Sequence, residues 1–309
     1  MSTTETETLI DAGLDDVGGE LAIEELHAPG AATEHLVAGR PLVVRGLIRT
    51  GSSALSALLS IVVILGFWQL CISWFKLDPF ITRGPADVWR YLTDPANAAD
   101  RELLREATLV TLRDAGIGLV GGSAAAVVVA VVFTLRRTVE QVFMPLAMVL
   151  RTVPLVAMTP LIALIFGRGL LAVTIIAGIV TFFPTLVNMT LALRSVPSQS
   201  IDLMRAYGAS PFTTLRKVQF PSSLPALFAS LRVAAPLALI GALLAEWLAT
   251  GKGLGYLMLA AVSLFQSDRL WTGVAIVTIA SLIAYNVISA VERAVLARYA
   301  PGSGRPSML

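Results

Sequence analysis

Six apolar runs, each about 20 residues or longer, follow one another between residues 54 and 292. They cover about 54–75, 109–133, 141–166, 170–193, 223–249 and 271–292. A helix rises about 1.5 Å per residue, so roughly 20 apolar residues cross the hydrocarbon core of a bilayer. The charge content agrees, at 14% against the about 25% usual in soluble domains. Aromatics make up only 7%, so the apolar bulk is aliphatic. The expected fold is all-α: a polytopic membrane protein with six transmembrane helices, its membrane domain spanning 40–300.

The residue inventory excludes much chemistry. Cys71 is the single cysteine, so neither an intrachain disulfide nor a cysteine metal cluster can form. The two histidines, His27 and His35, lie in the polar N-terminal stretch. None is left in the apolar body for a catalytic triad, a zinc site or haem ligation. No G-x-x-x-x-G-K-[ST] phosphate loop occurs, since Gly251-Lys252-Gly253 lacks both the spacing and the hydroxyl residue.

Residues 1–39 differ in kind from the rest. They hold nine acids and no Lys or Arg, which leaves the remainder at +11, nine above the chain's +2. A basic remainder suits a protein held among anionic headgroups. The acidic stretch reads as a solvated, disordered cytoplasmic tail. With the N-terminus inside, the inner segments carry twelve Lys and Arg and the outer ones eight. That bias favours both termini in the cytoplasm of a multi-pass inner-membrane protein. Much of the outer charge sits in 76–107, where Ala86–Leu92 and Arg101–Ala107 read as two short amphipathic helices. Pro145, Pro154 and Pro160 should kink the third run.

The longest polar link on the inner side is 194–222. Ser195 can cap a helix with Pro197 in its first turn, and Asp202 lies near the positive helix end. Ile201, Leu203, Met204 and Tyr207 can form one apolar face. Gly208 suits the left-handed stop, and Ser210-Pro211 can start a second short helix, broken by Pro221 and Pro225. Helix, glycine corner, helix describes either a re-entry into the bilayer or a knob for a cytosolic partner.

This link resembles the cytoplasmic EAA loop of ABC importer permeases, in which EAA, three residues, Gly, nine residues and Ile-x-Leu-Pro follow in order. Asp202-Leu203-Met204 stands at the EAA triplet, Gly208 at the glycine, Val218 at the Ile and Phe220-Pro221 at the Leu-Pro. The departures are Asp for Glu, Leu-Met for Ala-Ala, Val for Ile and Phe for Leu. The stretch from Arg151-Thr-Val-Pro154 to Gly167 resembles the third-span signature of the nitrate/sulfonate/taurine-type permeases. Leu231-Arg232-Val-Ala-Ala, Leu244-Ala-Glu246 and Gly253-Leu-Gly255-Tyr256 are similar to that group as well. The likeness covers about 54–295.

The resemblance implies a permease subunit, not an enzyme, in an ATP-driven importer for a small anion such as a sulfonate, taurine or nitrate. It implies two cytoplasmic ABC ATPase subunits, a second permease copy and an extracytoplasmic solute-binding protein. ATP-Mg would be held by the ATPase, with no cofactor and no nucleic acid bound by this chain. The coupling residues would be Ile201, Asp202, Leu203, Met204, Tyr207, Gly208 and Pro221. Intramembrane polar groups are default functional candidates. Arg151, Asn188, Arg232 and Glu246 are therefore expected at the pathway or a gate, with interhelical pairing as the alternative for each. Arg113 and the tryptophans near run ends read as interface anchors. Gly116, Gly118, Gly121 and Gly122 read as helix packing. Two other readings stay open: a permease for a thiamine-precursor pyrimidine, riboflavin or similar heterocycle, and a stand-alone channel or secondary transporter.

Overall fold

The computed structural model describes residues 59–76 and 78–299, and every described regular element is helical. The acidic 1–39 stretch and the first residues of the first expected run, 54–58, lie outside the described residues. The residues from Val62 onward form one compact unit, and of the preceding unit only 59–61 are described.

Ten helices follow in order among the described residues. α1 is Leu59–Trp74. Next come α2 (Pro85–Thr93), α3 (Ala98–Leu135), α4 (Arg137–Thr152), α5 (Leu155–Phe166), α6 (Leu170–Arg194) and α7 (Ser198–Ala206). α8 runs without interruption through Pro211–Thr250, and α9 (Leu254–Ser263) and α10 (Ser267–Tyr299) complete the described residues.

Among the described residues, four helices are long and apolar enough to cross a membrane: α3, α6, α8 and α10. The third run is broken into α4 and α5, bent by 101° at Val153-Pro154, and counts as a fifth span only if the pair is one. Proline deprives the turn of an amide and holds the residue before it extended, which is the conformation of Val153 (φ −69°, ψ 126°). α1 contributes only 16 described residues.

Three further boundaries differ. Arg101–Ala107 is not a separate helix but the first turns of α3. Pro221 and Pro225 do not break the helix before the fifth run. Residues Leu215–Gln219 form a π-turn in which the Phe220 amide bonds the Leu215 carbonyl, five residues back. The wider turn accommodates Pro221 just beyond it. α9, between the fifth and sixth runs, was not expected as a separate element.

The core lies between α3, α6 and α8. Gly118, Gly122, Ala126 and Ala130 form an i, i+4 ridge on α3. A Cβ on Gly122 would stand 2.2 Å from Thr181 Oγ1 and 2.7 Å from Gly178 Cα, so α3 and α6 touch backbone to backbone there. Gly116 and Gly121 face open space, which limits the expected packing role to alternate glycines. Ala172, Ile176, Ala238 and Ala242 continue the contact between α6 and α8. Small residues let van der Waals packing hold helices together where lipid is as apolar as leucine. The outer faces of α1 and α10 remain open, with Ile64 63% and Leu282 58% exposed.

Candidate functional site

α7 ends in a Schellman closure. The Gly208 amide bonds the Arg205 carbonyl at 2.9 Å, the Ala209 amide bonds the Met204 carbonyl at 2.9 Å, and Gly208 has φ 71°. Ser210 then caps the start of α8, its Oγ accepting from the Thr213 amide at 3.2 Å. Gln219 Nε2 donates to the Leu193 carbonyl at 3.0 Å and ties this start to the end of α6.

Ser195 does not cap α7. Its Oγ donates to the Ala192 carbonyl at 2.9 Å at the end of α6, and Pro197 occupies the N-cap of α7. Asp202 lies past the first turn and pairs with Arg205 at 3.4 Å instead. The four apolar residues of α7 divide into two faces. Ile201 and Met204 are half-buried, whereas Leu203 is 58% and Tyr207 83% exposed. The last two make an apolar tip on α7, and Phe212 at the start of α8 is likewise 60% exposed.

Among the described residues, no hydrogen bond or ion pair joins any two of Arg151, Asn188, Arg232 and Glu246. Arg232 on α8 pairs with Glu292 on α10 at 2.6 Å. Glu292 was missed in the sequence because it lies at the polar end of the sixth run, where a charge attracts no notice. Asn188 faces outward on α6. Arg151 is exposed in the last turn of α4, where a cation complements the carbonyl end of the helix. Beside it the α4–α5 bend opens a cleft of about 290 Å³ against α6 and α8.

Glu246 is 1% exposed. It sits in a second π-turn, Glu246–Thr250, at the end of α8. Its carboxylate accepts from Thr111 Oγ1 at 2.7 Å and from the Gly255 amide at 2.7 Å, while the Leu254 amide donates to Thr111 Oγ1 at 2.9 Å. The N-cap of α9 is Gly253, which has no side chain to offer. A Cβ there would stand 2.2 Å from Glu246 Cδ. Glu246 and Thr111 therefore cap α9 from other helices, and the positive helix end is what tolerates a buried carboxylate.

A polar network joins α2, α3 and α10. Arg83 forks onto Asp268 at 2.5 and 3.3 Å, Arg269 donates to Asp100 at 2.7 Å, and the Tyr91 hydroxyl donates to Asp100 at 2.6 Å. Trp271 Nε1 donates to the Ile81 carbonyl at 2.9 Å, and its ring stacks on Trp68 at 5.6 Å. Burial and the bond to Asp100 push the Tyr91 hydroxyl up to about 12. The bond to Asp268 makes Arg83 hold its proton more tightly. Sequence spacing carries no signal for these hydrogen-bonded pairs, which lie as far as 190 positions apart.

Residues 118–299 match the family described as binding-protein-dependent transport system inner membrane component. A probable ABC transporter permease protein of Haemophilus influenzae is 31% identical over 75% of this chain and 92% of its own length. The riboflavin transport system permease protein RibX of Chloroflexus aurantiacus is 33% identical over 81% of this chain and 92% of its own. A putative aliphatic sulfonates transport permease protein of Bacillus subtilis is 24% identical over 60% of this chain and 68% of its own. Among solved structures, a chain of the MetNI methionine ABC transporter in inward facing conformations superposes with a TM-score of 0.58. It is 20% identical, with 64% of this chain and 98% of that one covered, which speaks to the fold alone.

Proposed function

The chain belongs to the family of binding-protein-dependent transport system inner membrane components, and from that premise we propose that it forms half of the translocation pathway of an ATP-driven solute importer. A second copy supplies the other half, two ATPase subunits dock on the cytoplasmic side, and an extracytoplasmic binding protein delivers the solute. Both termini lie in the cytoplasm.

The observation that carries this reading is the end of α7. Leu203 and Tyr207 project from a short helix that a left-handed Gly208 stops dead. The chain then enters α8 within three residues. An apolar tip of this kind fits a groove in a partner protein. Tip and membrane helix move together because the link is too short to absorb motion. Nucleotide-driven closure of the ATPase then biases an equilibrium between inward- and outward-open states. Arg151, Asn188, Arg232 and Glu246 serve this pathway in separate places, the last two by holding helices in register.

For the solute, the similarity to the riboflavin permease extends over more of the chain and at higher identity than that to the sulfonate permease. That ordering favours a nitrogen heterocycle over a simple inorganic or aliphatic anion.

Tagged chain is purified in mild detergent from its native host, and co-purifying proteins are identified by mass spectrometry. A Walker-type ATPase is expected, and it should be lost when Leu203 and Tyr207 are both replaced by Asp. A lone oligomer, repeated after cross-linking, would instead favour a stand-alone channel or secondary transporter.

A further inference from the structure

Three arginines fall within the apolar runs: Arg113, Arg151 and Arg232. Arg113 pairs with Asp114 at 2.8 Å and Arg232 with Glu292 at 2.6 Å. Arg151 has no carboxylate or hydrogen-bond acceptor among the described residues, yet it borders a cleft. Arg151 is exposed on the cleft rim, and a guanidinium left unpaired on a membrane-spanning surface is costly and invites an anion.

Three features that leave backbone groups without helical partners lie beside the cleft. The first is the 101° bend between α4 and α5. The second is Pro184 inside α6, and the third is Pro236 inside α8. Each proline lacks the amide that would bond the carbonyl four residues earlier, so Val180 and Arg232 keep carbonyls with no helical partner. Val180 and Val233, next to Arg232, are both on the cleft wall. The remaining wall is apolar and includes Met158, Phe183 and Leu237. A volume of about 290 Å³ stands at the lower end of the range for small-molecule sites.

We infer that this cleft is a solute subsite within the membrane domain, taking a flat one- or two-ring molecule that carries an anionic group. The guanidinium of Arg151 binds the anion in its fork. Phe183 and the Met158 thioether receive the ring, and the freed Val180 carbonyl accepts from a ring N–H or O–H group. The class follows from the pairing of one cation with apolar walls: an anion without a ring leaves the walls wet, and a ring without a charge leaves Arg151 unpaired. A phospholipid shares the anionic head, but two acyl chains exceed a cleft closed on three sides by helices. The subsite rests on the importer reading above, because it places a solute inside the membrane.

The test uses purified full-length chain in phosphatidylcholine nanodiscs, with equilibrium dialysis against empty nanodiscs as the blank. The probes are naphthalenesulfonate (ring and charge), naphthalenemethanol (ring alone) and methanesulfonate (charge alone). Naphthalenesulfonate should bind saturably, and the other two at least about tenfold more weakly, the worth of one charged hydrogen-bonded contact. Arg151→Gln should weaken naphthalenesulfonate about tenfold, with Arg151→Lys falling between. Leu237→Trp, which fills the cleft and leaves Arg151 in place, should abolish it. Should that variant fail to elute as the wild type does, Val233→Phe at the exposed rim is the second blocking change.

Equal binding of all three probes, or binding indifferent to both Arg151→Gln and the blocking change, overturns the subsite. So does displacement of naphthalenesulfonate, in an Arg151-dependent manner, when phosphatidylglycerol is added to the nanodiscs; the cleft is then a lipid site. Co-purification of the ATPase reports separately on the importer reading. A chain that keeps its ATPase and binds no probe retains that reading and loses the subsite.

Discussion

Thr111 donates its hydroxyl to the Glu246 carboxylate at 2.7 Å although the two are 135 positions apart. The contact fastens the N-terminal half of α3 to the end of α8, and through the Gly255 and Leu254 amides it fastens both to the start of α9. Glu246→Ala would leave the Gly255 amide without its acceptor, while the Thr111 hydroxyl would fall back on the Ala107 carbonyl at 3.1 Å. An orphaned buried group costs about 1–3 kcal/mol. The expected result is a marked fall in thermal unfolding temperature in detergent, with a smaller fall for Thr111→Val. An unchanged melting profile in Glu246→Ala would contradict the capping role.

Gly208→Val places a β-branched residue at φ 71°. No atom lies within 4 Å of a Cβ there, so the penalty comes from the backbone alone, roughly 1–2 kcal/mol for the left-handed conformation. The protein should still reach the membrane, while solute uptake falls and less ATPase co-purifies. Normal uptake would count against coupling through α7.

Arg232 and Glu292 form a largely buried pair, 30% and 12% exposed. Breaking a buried pair from one side costs about 3–5 kcal/mol, and the residual exposure of Arg232 puts the expectation below that, at about 1–3 kcal/mol. Arg232→Glu and Glu292→Arg should each destabilise the chain in detergent. The double exchange should recover part of the loss. Additive losses in the double-mutant cycle would show that the two do not interact.

Two neighbouring glycines give a controlled comparison. Gly122→Ala forces a Cβ to within 2.2 Å of Thr181 Oγ1, whereas Gly121→Ala meets nothing within 4 Å. The first should lower the yield of monodisperse protein sharply, and the second should leave it unchanged or slightly raised, since alanine is the better helix former. Similar behaviour of the two variants would refute the backbone contact between α3 and α6.

Tyr91 holds its proton to about 12, above the ordinary 10. A raised value in the folded state means stability that is whole below pH 10 and lost as pH climbs toward 12. Unfolding temperature should therefore drop across that window in the wild type and less so in Tyr91→Phe. The tyrosinate absorbance missing from Tyr91→Phe should titrate at the alkaline end.

The long helices were legible because their signal is local: 20 apolar residues announce themselves, and α6 was bounded to within a residue. Gly208 was legible for the same reason, since a left-handed stop needs glycine wherever it stands. The proline rule succeeded at Pro154 and failed at Pro221. A proline beside a π-turn costs little, and Leu215 of that turn packs in the core with Leu186, Met189 and Leu193 of α6, which no local residue pattern announces. The site residues fared unevenly. Glu246 stands out in the sequence as an intramembrane acid, but its partners lie on α3 and at the start of α9, and no spacing rule connects them. The division of α7 into a half-buried and an exposed apolar face depends on how the helix sits on its neighbours, which periodicity alone does not fix.

α8 continues for 40 residues, from the capped turn at Pro211 to the π-turn that holds Glu246. At about 1.5 Å per residue it is a rod of roughly 60 Å. A tilt of about 5° around its midpoint swings each end by nearly 3 Å in opposite senses, enough to exchange one set of side-chain contacts for another. On the proposed importer reading, such a rod turning as one body about its alanine-lined contact with α6 would carry a displacement at Phe212 to Trp247 without any chain of side chains passing the message along.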